Sequence, residues 1–286
     1  MTAMTPATLP PAPPAHRLPA HMAFSWTRVG GMVLRYLYLL KSSWTRVVEM
    51  VYWPTMQMVL WGLITKFLVS NSSFVARASG LLLAAVLLWD VLFRGQLGVS
   101  VMFMEEMYAR NLGHLFISPL RPYEFAASLL VMSLLRTLIS FGGACLLAWL
   151  LFHFAITDMG FPLVAFFINL LVFGWGMGLL ICGLLLLYGF AAESLAWAAT
   201  FALAPIAGIY YPISTLPSWL QPVAWALPTG PVFEGMRAVL IQHQFRTDLL
   251  FAAMALNAGY LLLGLVVFLY VFSIARRKGL LLQVGE

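Results

Sequence analysis

Residues Glu105–Glu124 read EEMYARNLGHLFISPLRPYE, and this stretch decides how the rest of the chain is organised. Long apolar runs flank it on both sides. Within it, Glu105, Glu106 and Arg110 precede Gly113, a short apolar pair (Leu115, Phe116) follows, and Ser118-Pro119 closes it. Pro119 and Pro122 do not fit inside a continuing helix, so a short helical piece is expected to stop near Ile117. A brief helix with polar ends and an apolar face, set between two membrane spans, has the form of an element held at a membrane surface for a partner to grip. A solvated loop with an incidental turn has the same spacing.

Composition supports the membrane setting. Of 286 residues, 62% are hydrophobic and only 9% charged, against the ~25% charged of an average globular protein. Most of the chain is therefore expected in lipid, and the net charge of +6 is read as topology rather than as a nucleic-acid face. Cys145 and Cys182 both sit in apolar runs and are expected as packing residues, with a disulfide an open alternative.

Working outward, residues 1–23 hold six prolines and no apolar h-region, so they are expected as a disordered tail rather than a signal peptide. From Phe24 to Met50 the chain is amphipathic. Trp26, Val29, Val33, Tyr36, Leu37 and Leu40 share one side, and Arg28, Arg35, Lys41 and Arg46 are placed to reach lipid headgroups. This reads as an interfacial helix. Membrane spans are expected at about Val47–Val69, Gly80–Met104, Phe125–Phe152, Pro162–Tyr188, Leu195–Tyr211 and Leu249–Ile274. The fourth carries Gly174 and Gly178 in small-xxx-small spacing, which favours close helix packing. Six prolines from Pro205 to Pro231 break the region after Leu195, and Pro217–Leu240 is expected as short helices dipping back into the outer leaflet. The expected fold is thus all-α and integral to the membrane: six spans, an interfacial N-terminal helix and re-entrant helices between spans five and six. Residues 24–278 form the transmembrane domain and 279–286 a cytoplasmic tail.

Six spans put both termini on one side. Ten Lys and Arg fall on that side, counting the N-terminal region, the central loop and Arg276-Arg277-Lys278, against four on the other. The bias puts both termini and Glu105–Glu124 in the cytoplasm.

No phosphate-binding loop is possible, because the three lysines follow Leu40, Thr65 and Arg277 rather than Gly. The five histidines are scattered, with no HExxH or CxxC, so neither a metal site nor a hydrolase triad is expected, and no cofactor is assigned to the chain. Asp90 and Arg94 stand at i, i+4 inside the second span, where each charge costs ~2.5–3.5 kcal/mol on insertion scales. They are expected to pair inside the protein, joined by Arg136, either as a translocation-path element or as a structural pair. Glu49 is expected at the inner interface.

Residue order narrows the function. Glu106, Gly113, Leu115, Ser118, Pro119 and Glu124 resemble the cytosolic loop of type-2 ABC exporter permeases, approximately E-x-x-x-G-T-L-E-x-L-x-x-[ST]-P, with one extra spacer before Gly113 and His114 in place of the common Thr. The segment IAGIYYPISTLPSWLQPVAWALPTGPVFEGMR resembles the one that follows the fifth span in that family, through Gly208, Tyr210, Tyr211, Pro212, Leu216, Pro217, Trp219, Gln221, Pro228 and Arg237. Thr229-Gly230 stands where a Thr-His pair is common. The resemblance covers about Phe24–Lys278.

The resemblance implies the permease subunit of an ATP-driven exporter in a bacterial cytoplasmic (inner) membrane. Such a permease moves a lipid, glycolipid, polysaccharide or drug-like substrate outward. It implies a second permease copy (a homodimer or a heterodimer) and two separate ATPase subunits that hold ATP and Mg. Glu105, Glu106, Arg110, Gly113, His114, Leu115, Ser118 and Pro119 would couple to the ATPase. Asp90, Arg94, Arg136, Tyr210, Tyr211, Pro212 and Trp219 would line or gate the path. An ion-coupled secondary carrier using Asp90, Arg94 and Arg136 is the other class the charges allow; such carriers usually show paired interrupted repeats, and one broken segment is present.

Overall fold

Proline and glycine punctuation sets where the helices end. In a computed structural model of the protein, residues 24–71 and 79–279 are described. They form helices α1 (Trp26–Ser42), α2 (Trp44–Asn71), α3 (Ser79–Tyr108), α4 (Leu112–Ile117), α5 (Pro122–Phe152), α6 (Phe161–Tyr188), α7 (Glu193–Leu203), α8 (Gln221–Ala226), α9 (Thr229–Gln242) and α10 (Thr247–Arg277). No strand occurs among the described residues. The expectations for residues 1–23 and for the tail beyond Gly279 lie outside the described residues, as does most of the loop after α2.

Five helical runs among the described residues are long and apolar enough to cross a membrane. One of them, Phe161–Leu203, comprises α6, a 3-10 turn at Gly189–Ala192 and α7. The chain reverses at that turn. Gly174 and Gly178 of α6 run alongside α3 in the same direction, from Leu92 to Val99. By contrast Glu193 of α7 accepts from Tyr108, while Phe201 meets Phe93 nearer the start of α3. The fifth expected span is therefore helical only as far as Leu203. Its 11 residues rise ~16 Å, about half of a ~30 Å hydrocarbon core. Pro205 ends it, because a proline has no N–H to donate to Phe201 O and continue the ladder.

α6 is the centre of the bundle. α3 packs on one side of it and α10 on another, and α5 and then α2 continue outward from α3. Glycine sets the spacing of both central contacts. A Cβ on Gly174 would meet Leu92 O at 2.7 Å, and one on Gly178 would meet Val99 Cβ at 2.8 Å, as the small-xxx-small spacing implies. The intervening Gly176 faces α10, where a Cβ on Gly264 would meet Gly176 O at 2.4 Å. Buried polar side chains tie the same helices. Asn257 donates to Asn169 at 2.8 Å. Gln96 donates to Ala196 O at 3.0 Å and accepts from Thr200 at 2.6 Å, which seats α7 on α3. Cys145 and Cys182 are free thiols.

The amphipathic N-terminal stretch is two helices rather than one, broken at Ser43. α1 buries Val29, Met32, Tyr36 and Leu40, while Trp26 and Leu37 are exposed. It packs on α5.

Candidate functional site

Two features gather the predicted residues. The first is the end of the bundle where α3 and α6 finish, α5 begins and α10 ends. α3 stops in a Schellman turn: Arg110 N–H donates to Met107 O at 2.9 Å and Asn111 N–H to Glu106 O at 3.0 Å. Arg110 takes the left-handed position, at φ 51°, where glycine is usual. The turn delivers α4, which runs Leu112–Ile117 and stops before Ser118-Pro119 as its sequence implies. Ser118 Oγ donates back to Leu115 O.

α4 presents two faces. Leu112 is buried, Leu115 is half-buried, and Phe116 sits 4.4 Å from Phe272 and 5.7 Å from Phe125, ring centroid to centroid. Arg110, His114, Ser118 and Pro119 are exposed, Gly113 is partly so, and Ile117 is 82% exposed. The apolar group offered outward is thus Ile117, and Leu115 belongs to the core. The sequence reading missed this, because Leu115 and Ile117 are both apolar and a six-residue helix is too short to show a stripe.

Three arginines of the N-terminal helices clamp this end. Arg28 donates from Nε (2.7 Å) and Nη2 (2.5 Å) to Glu124, which also accepts Ser25 N–H at 2.9 Å and Arg121 N–H at 3.1 Å. Arg35 donates to both oxygens of Glu106, at 2.5 and 3.2 Å, and Asn111 Nδ2 donates to the same carboxylate at 2.7 Å. Arg46 reaches Glu105 at 3.2 Å. Both Glu106 and Glu124 are almost wholly buried. These arginines were expected to reach lipid headgroups. They reach carboxylates instead, because Glu105, Glu106 and Glu124 flank α4 and turn toward α1 and the start of α2. Burial opposes the Arg35 charge, yet the Glu106 hydrogen bonds and charge outweigh it and hold the guanidinium above its usual range. Burial, with the Glu106 charge beside it, pushes the Tyr36 phenol up.

The second feature is a groove of about 450 Å³ bounded by α2, α3, α5 and α7. Asp90, Arg94, Arg136 and Tyr210 all line it. Arg94 Nε donates to Asp90 Oδ2 at 3.0 Å, the i, i+4 pair the spacing implies. Arg136 does not join that pair: it makes no hydrogen bond to either partner, and its buried Nε has no partner among the described residues. Glu49 is exposed at the groove. Tyr210 stacks on Trp61 of α2 at 4.6 Å.

The other predicted gate residues lie elsewhere. Tyr211 packs against the small cluster of Ile213, Leu216 and Ala224, its hydroxyl donating to Pro205 O. Pro212 is exposed and Trp219 is 72% exposed. The turn that carries Tyr210 is held from below by α9: Arg237 donates to Gly208 O at 2.8 Å and Glu234 accepts Ile213 N–H at 2.8 Å. Glu234 escaped the sequence reading, since a single acid in a proline-rich stretch gives no spacing to read. Gly208 sits at φ 65°, a backbone position that favours glycine at the head of the turn.

A family model described as ABC-2 type transporter matches residues 37–241. The chain belongs to the ABC-2 type transporter family. The match takes in α4, the groove and the turn at Gly208, and it makes this chain a multi-pass membrane transport component, a permease rather than a catalyst. Permeases of the family work with ABC ATPase partners. No curated protein matches the chain.

Proposed function

We propose that this ABC-2 permease is the membrane subunit of an ATP-driven exporter of a lipid, glycolipid, polysaccharide or drug-like substrate. It works as two permease copies with two ATPase subunits in a bacterial cytoplasmic membrane. The observation that carries this reading is α4: a short helix with Ile117 outward, fixed by buried carboxylates at the end of the bundle where the cationic residues gather. Arg276 and Arg277 lie beside Pro122 at that end, which supports placing it, with both termini, in the cytoplasm. ATP and Mg are held by the partner, and closure of the ATPases presses on α4. The clamps to α1 and the start of α2 carry that push into the bundle.

In this reading the chain crosses six times, the fifth crossing being α7 together with the turn to Tyr211. α1 lies along the inner interface, and the segment from Pro212 through α9 dips into the outer leaflet. The lateral groove is one half of the translocation path, completed by the second copy. The test is transport in proteoliposomes containing the permease and a co-expressed ATPase. Uptake that requires hydrolysable ATP is the expected result. Movement driven equally well by an ion gradient without ATP would overturn it.

A further inference from the structure

One corner of the bundle carries cations with no acid to meet them. Arg276, Arg277 and Lys278 end α10, and all three are exposed. Arg121, just ahead of α5, is half-buried, its guanidinium 5.9 Å from the Tyr123 ring centroid. Among the described residues the acids at this end are engaged elsewhere. Glu105, Glu106 and Glu124 hold Arg46, Arg35 and Arg28, Glu193 accepts from Tyr108, and Glu49 faces the groove. None of the four cations makes an ion pair with a described residue.

The same corner has a graded surface. Pro122 of α5 faces Leu269, Phe272, Ser273, Arg276 and Arg277 of α10 across a shallow hollow. On α10 they form two rows at i, i+4 spacing, Leu269–Ser273–Arg277 and Phe272–Arg276, and residues so spaced share a face. Toward the helix end the hollow passes from apolar carbon to a hydroxyl to guanidinium groups, ~12 Å from Leu269 to Arg277. α10 has 31 residues, ~46 Å in length, against ~40–45 Å for a bilayer with its headgroups. A crossing by this helix therefore sets Arg276 and Arg277 in the headgroup layer. The order is that of a phospholipid: chains, glycerol esters, phosphate.

We infer that this hollow holds an anionic phospholipid, its phosphate on Arg276 and Arg277, its glycerol esters beside Ser273 and the start of its chains against Leu269 and Phe272. Guanidinium groups present several N–H donors to phosphate oxygens. A zwitterionic headgroup would bring a further cation to a corner that already has four, so the site selects net negative charge. Phe272 also packs on Phe116 of α4, so the lipid rests on a residue that supports α4. The inference goes beyond the export reading and needs only that α10 crosses the bilayer.

The test uses the full chain in dodecyl maltoside with equal amounts of dioleoyl phosphatidylglycerol and dioleoyl phosphatidylcholine, the retained lipid being counted by native mass spectrometry. Phosphatidylglycerol is expected in about tenfold excess over phosphatidylcholine, and excess inorganic phosphate does not displace it. A basic residue in the headgroup layer adds roughly fivefold to the affinity for an anionic lipid. Arg276→Gln combined with Arg277→Gln therefore removes most of the preference, whereas Arg246→Gln, which alters an exposed pair with Asp248, leaves it unchanged. Thermal melting checks folding. Photo-crosslinking of the parent with a phosphatidylglycerol bearing a diazirine near its headgroup needs no variant, and its label is expected within residues 269–277. Equal retention of the two lipids would overturn the inference, as would displacement by inorganic phosphate or a label placed elsewhere. So would a double variant that keeps the parent's preference; if that variant also lost the ATPase in pull-down, the corner would be a protein interface. No ATPase or gradient enters the lipid measurements, so their failure leaves ATP-driven export standing.

Discussion

Replacing Glu106 by Gln tests whether the clamp on α1 and the start of α4 is one device. Glu106 accepts three hydrogen bonds, two from Arg35 and one from Asn111. Bonds to a charged group contribute ~1.5–3 kcal/mol and neutral ones ~0.5–1.5. Each is therefore weakened by about 1 kcal/mol when the carboxylate becomes an amide, about 3 kcal/mol in all. The Arg35 side chain is 37% exposed, so solvent screens part of its contribution, and about 2 kcal/mol is the working figure. That is about a 30-fold rise in local opening. Amide hydrogen exchange read by mass spectrometry on the purified permease is the assay. Peptides from α1 and from residues 109–117 should both exchange about 30-fold faster in Glu106→Gln, with α10 unchanged away from Phe272. A rise in one of the two segments alone, or in neither, would refute the idea that one carboxylate holds both.

Three further outcomes are expected. Ile117→Asp should abolish ATPase binding in pull-down while melting like the parent, whereas Leu115→Asp should lower the melting temperature, because it puts a charge among Phe116 and its neighbours. Asp90→Asn should cost about 3 kcal/mol by leaving Arg94 uncompensated, read as loss of monodisperse protein on size exclusion; adding Arg94→Gln should restore most of it. Gly264→Val should cost about 3 kcal/mol, seen as a lower melting temperature, since the added Cβ meets the Gly176 carbonyl.

What was legible in the sequence follows the range of the forces involved. Apolar runs bounded by Pro122, Pro162 and the terminal arginines gave α3, α5, α6 and α10 to within a few residues, because lipid demands length and hydrophobicity locally. The stop of α4 at Ser118-Pro119 was legible because a proline acts on the backbone beside it, and the Asp90–Arg94 pair because i, i+4 spacing is local too. The clamps were not. Arg28 meets Glu124 across 96 positions and Arg35 meets Glu106 across 71, and nothing in a single sequence links residues that far apart. The length of α7 was also misread, since Pro205 interrupts an apolar run that is otherwise long enough to span.

The crossing of Gly176 and Gly264 fixes more than a distance. With backbone on backbone there is no side chain to change rotamer, so α6 and α10 cannot slide or rotate past each other without separating. Gly174 and Gly178 hold α3 to α6 in the same fashion. These three helices therefore behave as a stator. Mechanical play is left to the parts attached by side chains and ion pairs: α1, α2 and the short α7. Of these, α2 and α7 flank the groove, so whatever enters it meets the fixed α3 and two walls that can give way.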